Sequence, residues 1–273
     1  MLAAMHTTPP TPPIPSPAVR PLTILTGASR GLGLALALGL IRRGHRLLTL
    51  QRTPSASLDA AALEAGVELE QWAVDLADPL PVARRLQAWI AALPRQGPGA
   101  CSALHLVNNA ALLVEPGPLS GVDLEQASRA TRASLEAPLL LSAAFLAASA
   151  DLAVPRRVLN ISSGLGRHAM AGSAVYCAAK AGMDHFSRAV ALEEAEHPSG
   201  ATIVSLAPSV VDTDMQVQLR GADPQRFSSQ ARFENLKSAG NLDSPESAAA
   251  KVLACLEAAD VGGDPIQDVR RVR

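Results

Sequence analysis

The chain has 273 residues, 48% of them hydrophobic and only 3% aromatic, with a formal net charge of −1. That length allows one large domain with an ample core, and the scarcity of aromatics leaves Ala, Leu and Val to pack helices closely on a sheet. The near-neutral charge offers no field for a nucleic-acid or membrane-surface partner, no apolar run reaches the about 18 residues that a membrane span needs, and three cysteines are too few for a disulfide scaffold.

Residues 1–19 are rich in proline and read as an extended, disordered arm. From residue 20 onward a single domain is expected. PLTILT (21–26) reads as a strand, GLGLALALGLIRRG as a helix ended by Gly44, and HRLLTL (45–50) as a second strand. A helix is expected near 55–65, a strand over 67–74, a helix over 79–92 bounded by Pro94, and a fourth strand over 104–109. One long helix over 123–149 follows, then a strand over 156–162, a helix carrying Tyr176 and Lys180, a strand over 202–207 and a last one at PIQDV. Strands alternating with helices predict an α/β fold: a doubly wound, Rossmann-like three-layer sandwich with a seven-stranded, mostly parallel sheet. Residues 212–243, punctuated by Gly, Asp and Pro, read as a loop or short helices covering a site. Ser244 and Pro245 then restart a helix as N-cap and first helical residue.

The turn after the first strand reads TGASRGLG. Gly27, Gly31 and Gly33, with Ser29, Arg30 and Leu32 between them, would let a pyrophosphate reach main-chain N–H groups at a helix N-terminus. Where an NAD enzyme of this architecture has a carboxylate, the second strand ends Leu50-Gln51-Arg52. Arg52, helped by Arg30, could pair with a 2′-phosphate, so NADP(H) is the expected cofactor. Arg42 and Arg43 lie in a last helical turn, where cations suit the helix dipole. Asp75, at the end of the third strand, either accepts a hydrogen bond from adenine or caps the following turn. Tyr176 and Lys180 stand four residues apart among Ala, Gly and Ser, on one helix face with space beside it. Cys101 and His105 lack the further ligands a zinc site requires, and no metal is expected. The three cysteines suit a reducing, cytoplasmic compartment.

TGASRGLG, LVNNAA, ISS, YCAAK and APSVVDTDM occur in that order between about residues 21 and 215, and in this set the chain resembles the short-chain dehydrogenases/reductases. The resemblance implies a glycine-loop cofactor site with Asn108 and Ala110 in support, and a catalytic Ser163, Tyr176 and Lys180. Spacing to Tyr176 favours Ser163 over Ser162. Tyr176 would be the general acid, with Lys180 lowering its pKa and binding the nicotinamide ribose. Thr213 would bond the nicotinamide carboxamide, with Pro208 and Val211 lining the same pocket. Ser134 stands where the family has an Asn of the proton relay, and Ala111 where NNAG would end in Gly.

Within the family, LAPSVVDTDMQ and the YCAAK setting look most like the sepiapterin and benzil reductases. The reading is therefore NADPH-dependent reduction of a ketone, with one carbonyl of a vicinal dicarbonyl as the candidate group, on a small-molecule substrate. The alternatives are a non-catalytic NADP(H)-binding regulatory protein and an alcohol dehydrogenase working oxidatively. Met215, Leu219 and Phe227 would belong to the substrate cover, while Asp264 and Asp268 read as surface carboxylates. A homodimer or homotetramer through helices 123–149 and 173–196 is implied by the same resemblance.

Overall fold

In the computed structural model, which describes residues 19–97, 99–259 and 263–271, seven parallel strands form one sheet in the order β3-β2-β1-β4-β5-β6-β7. They are β1 (Leu22–Thr26), β2 (Arg46–Gln51), β3 (Leu69–Ala73), β4 (Leu104–Asn108), β5 (Arg156–Ile161), β6 (Thr202–Ala207) and β7 (Ile266–Asp268). The chain starts at the middle of the sheet, winds outward to β3, then returns to place β4 on the other side of β1. Strand order reverses there, and such a point opens a crevice beyond the carboxyl ends of the strands. The proline-rich arm lies outside the described residues apart from Val19.

Both faces of the sheet are covered, so β1 and β4 are buried along their whole length. Alternate residues feed opposite layers. Leu25, Val107, Leu159 and Leu206 pack against helices α1 (Gly31–Arg42) and α9 (Pro245–Glu257); Ile24, Leu48, Leu106 and Val158 pack against α3 (Pro79–Ala91) and α5 (Ala137–Ser149). Small residues bring these layers close. A Cβ on Gly39 of α1 would stand 2.5 Å from Leu253 Cδ1 of α9. Gly44, at φ +78°, turns the chain out of α1 into β2. Helix α2 (Ala56–Ala65) ends likewise on a left-handed Gly66, and Ser244 caps α9 by accepting from Ser247 N–H at 3.1 Å, with Pro245 opening the helix.

The long helix expected over 123–149 is divided. Helix α4 (Leu124–Thr131), capped by Asp123, passes through a π turn at Arg132–Glu136 before α5 begins. Pro138 explains the division, because it has no N–H for the Ser134 carbonyl one turn back and its ring crowds that carbonyl. The segment 212–243 contains two short helices, α7 (Asp214–Arg220) and α8 (Gln230–Ser238), held by a small core in which Phe227 stacks on Phe233 at 5.8 Å. Its two ends meet through a bridge between Val211 and Asp243. No described helix is long and apolar enough to cross a membrane.

Candidate active site

A cavity of about 610 Å³ opens at the carboxyl ends of the strands, between the glycine turn, the loop after β5, helix α6 (Ala174–Ala195) and the α7–α8 cover. The turn is shaped by three glycines with different constraints. Gly27 (φ +72°) and Gly31 (φ +53°) adopt left-handed backbone conformations that favour glycine. Gly33 is required by contact, since a Cβ there would lie 1.9 Å from the Gly27 carbonyl oxygen. Helix α1 begins at this turn with no side-chain cap and no acidic residue in its first turn. Its leading N–H groups and the positive end of its dipole therefore remain available to an anion.

The turn is tied to the neighbouring strand by two residues. Thr26 Oγ1 accepts from the N–H groups of Asn109 (3.0 Å) and Ala110 (2.9 Å), and Asn109 Nδ2 donates to the carbonyls of Thr26 (3.0 Å) and Gly27 (3.1 Å). Asn109 lines the cavity, as does Ala110, whereas Asn108 does not. Asn108, expected in support of the cofactor site, is set back from the cavity and has a structural place. Its side chain points into the protein, donating to Asn160 Oδ1 at 2.8 Å, and Asn160 in turn reaches Ser187 of α6 at 2.9 Å. Asn108 and Asn160 are register partners on β4 and β5, so this buried polar chain fixes α6 against the sheet.

Ser134, too, is set back from the cavity. It is buried in the π turn and outside the cavity, and its Oγ accepts from Leu112 N–H at 3.0 Å. Its hydroxyl is spent on the backbone of the β4–α4 loop, leaving it out of direct reach of the cavity.

Ser163 follows β5 and opens a short 3₁₀ turn (Gly164–Gly166), its Oγ accepting from Leu165 N–H at 3.2 Å. That turn sits directly on α6, since a Cβ on Gly166 would meet Asp184 Oδ2 at 2.6 Å and the Lys180 carbonyl at 2.9 Å. The contact brings Ser163 and Tyr176 together at the cavity wall. Lys180, 2% exposed, donates from Nζ to the Ile161 carbonyl at 2.6 Å, with Nζ 5.7 Å from the centre of the Tyr176 ring. Asp184, one turn further along α6, is a buried counter-charge that accepts from Ser205 Oγ at 2.6 Å and pairs with Arg167 at 3.4 Å.

Electrostatics here depart from the expectation that Lys180 acidifies Tyr176. Burial pushes the Tyr176 phenol up to about 12, partly opposed by a hydrogen bond with Ser163. Burial also brings Lys180 down to about 8, opposed by Asp184. Desolvation outweighs the neighbouring cation because the ammonium is itself dehydrated and directed to a carbonyl. At neutral pH the phenol is protonated and able to donate.

Every other expected cofactor residue lines the cavity: Ser29, Arg30, Leu32, Arg52, Asp75, Pro208, Val211 and Thr213. Two are already engaged. Arg30 forms an exposed ion pair with Asp214 of the cover at 2.8 Å, and Asp75 accepts from Ala77 N–H (2.9 Å) and Arg129 (2.8 Å). The bond from Ala77, with Arg129 beside it, holds the Asp75 carboxyl below its usual range. Asp75 therefore caps the turn, one of its two expected roles. Arg52 makes no side-chain hydrogen bond or ion pair among the described residues, though its charge also acts on Asp75. Of the cover residues, Met215 and Leu219 line the cavity, whereas Phe227 is wholly buried in the cover's own core. Asp268 is 7% exposed and gripped by Arg270 at 2.6 Å, contrary to its reading as a surface carboxylate. Among the described residues no group of three or more His, Cys, Asp or Glu is placed to hold a metal.

Known proteins share this architecture and sequence. Residues 22–224 match the family described as short chain dehydrogenase. A benzil reductase ((S)-benzoin forming) of Bacillus cereus is 33% identical over 234 residues, covering 86% of this chain and 93% of that protein. A sepiapterin reductase of Rattus norvegicus is 34% identical over 246 residues, covering 86% and 90%. The structure of 3-oxoacyl-[acyl-carrier protein] reductase from Brucella melitensis in complex with NAD superposes with a TM-score of 0.74 at 22% identity, covering 92% of this chain and 95% of that one. The chain belongs to the short-chain dehydrogenase/reductase family of nicotinamide-dependent oxidoreductases.

Proposed function

We propose that the protein catalyses NADPH-dependent reduction of a ketone, one carbonyl of a vicinal dicarbonyl, with Tyr176 as general acid. The observation that carries this reading is the Tyr176 phenol lining the cavity beside Ser163, one turn from the buried Lys180. A dinucleotide fits the rest of the cavity. The uncapped N-terminus of α1 and the left-handed glycine turn that Gly33 lets pack against it suit a pyrophosphate, and Arg52, whose side chain makes no hydrogen bond or ion pair among the described residues, would meet a 2′-phosphate. Thr213 and Val211 would flank the nicotinamide, and Lys180 would donate to its ribose hydroxyls.

When bound, the cofactor supplies hydride to the carbonyl carbon. The protein's part is to handle the charge that develops on the oxygen. Ser163 Oγ accepts from Leu165 N–H, and the proton it shares with Tyr176 would be given to the carbonyl oxygen when substrate is bound. Tyr176 donates a second hydrogen bond and then its proton, and the Lys180 ammonium stabilises the phenolate left behind. A phenol raised above its ordinary value by burial carries its proton at pH 7 and can give it to the carbonyl oxygen.

The relatives' names, benzil reductase and sepiapterin reductase, support a dicarbonyl substrate, as do the apolar walls given by Met170, Met215, Leu219 and Phe233. Leu124, Leu139 and Leu192 are large exposed apolar side chains on α4, α5 and α6, and support a homodimer or homotetramer built on these helices. Three free cysteines suit a reducing cytoplasm. The test is consumption of NADPH with benzil, a pterin diketone, a quinone and a simple ketone. Turnover of the vicinal dicarbonyls above the simple ketone supports the reading; no turnover of any carbonyl refutes it.

A further inference from the structure

Eight ionisable groups that matter at neutral pH line the cavity, and most are compensated. Asp75 is held by Arg129, Arg30 and Asp214 hold each other, Arg270 is held by Asp268, and Lys180 has Asp184 one turn away. His168, on the loop beyond Ser163, has no carboxylate partner among the described residues. Two permanent charges make no hydrogen bond or ion pair from their side chains among the described residues, Arg52, which has the Asp75 carboxylate near it, and Arg232, which has no counter-ion there. They stand on different parts of the cavity wall. Arg52 follows β2 at the nucleotide side, whereas Arg232 lies on α8 of the cover, next to Phe233 and four residues from Leu236, both cavity-lining. Phe233 packs with Met170 of the loop beyond Ser163 and with Met215 of α7, so α8 closes the substrate side.

Arg232 is an exposed guanidinium at the rim of this apolar wall, geometrically suited to a carboxylate, which it can meet through two parallel hydrogen bonds. From this arrangement we infer that the substrate carries a carboxylate, bound by Arg232, in addition to the carbonyl that is reduced. This rests on the reductase reading above and narrows it to carboxylated vicinal dicarbonyls, whose apolar part would lie on Phe233, Leu236, Met170 and Met215. The carboxylate takes no part in the chemistry. The carbonyl carbon gains hydride from NADPH, its oxygen gains the Tyr176 proton, and the products are the secondary alcohol and NADP⁺. Arg232 is a specificity residue, acting on which substrate is held.

The test compares benzil with 4-carboxybenzil, which differ by the anion alone, on the native chain and on Arg232→Gln and Arg232→Lys. The native chain should prefer 4-carboxybenzil in kcat/KM. Arg232→Gln should lower the ratio of the two kcat/KM values at least about tenfold, mainly through KM, as expected for loss of a charge-assisted pair. Arg232→Lys should recover part of it, since the charge returns without the planar fork. An unchanged ratio in Arg232→Gln overturns the inference. If neither diketone is turned over, the reductase reading is decided by the wider carbonyl screen, and calorimetric binding decides this one. A dissociation constant for 4-carboxybenzil that is the same in the native chain and in Arg232→Gln would overturn it; selective weakening would support it.

Discussion

A pair of buried histidines at the amino ends of the central strands makes stability depend on pH. Thr23 on β1, register partner of His105 on β4, lies 2.9 Å from His45 Nδ1 and 3.5 Å from His105 Nδ1. The two rings are 5.8 Å apart, and Arg157 stands opposite His105 on β5. Burial, with His45 and Arg157 as nearby like charges, lowers His105 from 6.5 to about 3. His45 is lowered as well, by burial, against the pull of Glu257. Because the folded pKa is depressed, the unfolded chain binds more protons between about pH 6.5 and pH 3, and stability is lost as pH falls through that window. At pH 5 the unfolded His105 is 1.5 units below its midpoint, so the loss relative to pH 8 is about 2 kcal/mol from this residue. In a domain of this size that corresponds to about 4–8 °C of melting temperature. Thermal unfolding of the native chain and of His105→Phe, which keeps a ring beside His45, followed by circular dichroism at pH 8 and pH 5, isolates the contribution. The native chain should lose that many degrees more than the variant on acidification. Equal losses in the two proteins would refute the reasoning.

Two further outcomes concern the nucleotide site. Gly33→Ala sets a methyl 1.9 Å from the Gly27 carbonyl oxygen, which forces the turn or α1 to move. It should lower the melting temperature, at a cost of about 1–3 kcal/mol for overpacking, and abolish measurable NADPH binding by fluorescence titration; near-native affinity would contradict the cradle. Arg52→Asp should weaken NADPH at least about tenfold while improving NADH, read as dissociation constants for each. An unchanged NADPH affinity would remove Arg52 from the phosphate site.

Much of the architecture was legible because parallel strands buried on both faces must be nearly continuous apolar runs, and LTILT and LHLVN are just that. The glycine turn was readable for the same kind of reason, since only a backbone in close approach requires Gly33. What escaped the sequence depended on parity and on competition between partners. LVNNAA holds two adjacent Asn whose side chains must face opposite ways, and only the strand end decides that Asn108 points inward to Asn160 while Asn109 reaches the turn. Pro138 was the available signal that the long helix would break and that Ser134 would lie in a distorted turn. The upward shift of Tyr176 could not be read from its spacing to Lys180, because spacing carries the attraction between groups but not the desolvation that overrides it. The pairing of Arg30 with Asp214, 184 positions apart, is visible only once the cover is folded over the turn.

The central claim is that the Tyr176 hydroxyl delivers the proton. Its most direct test is the single-turnover rate of NADPH oxidation with benzil in Tyr176→Phe, measured beside the NADPH dissociation constant of the same variant. The account predicts an affinity within about threefold of native and a rate lower by about two to four orders of magnitude, since the hydroxyl acts in the transition state. A variant that binds NADPH and still reduces the diketone at close to the native rate would contradict it.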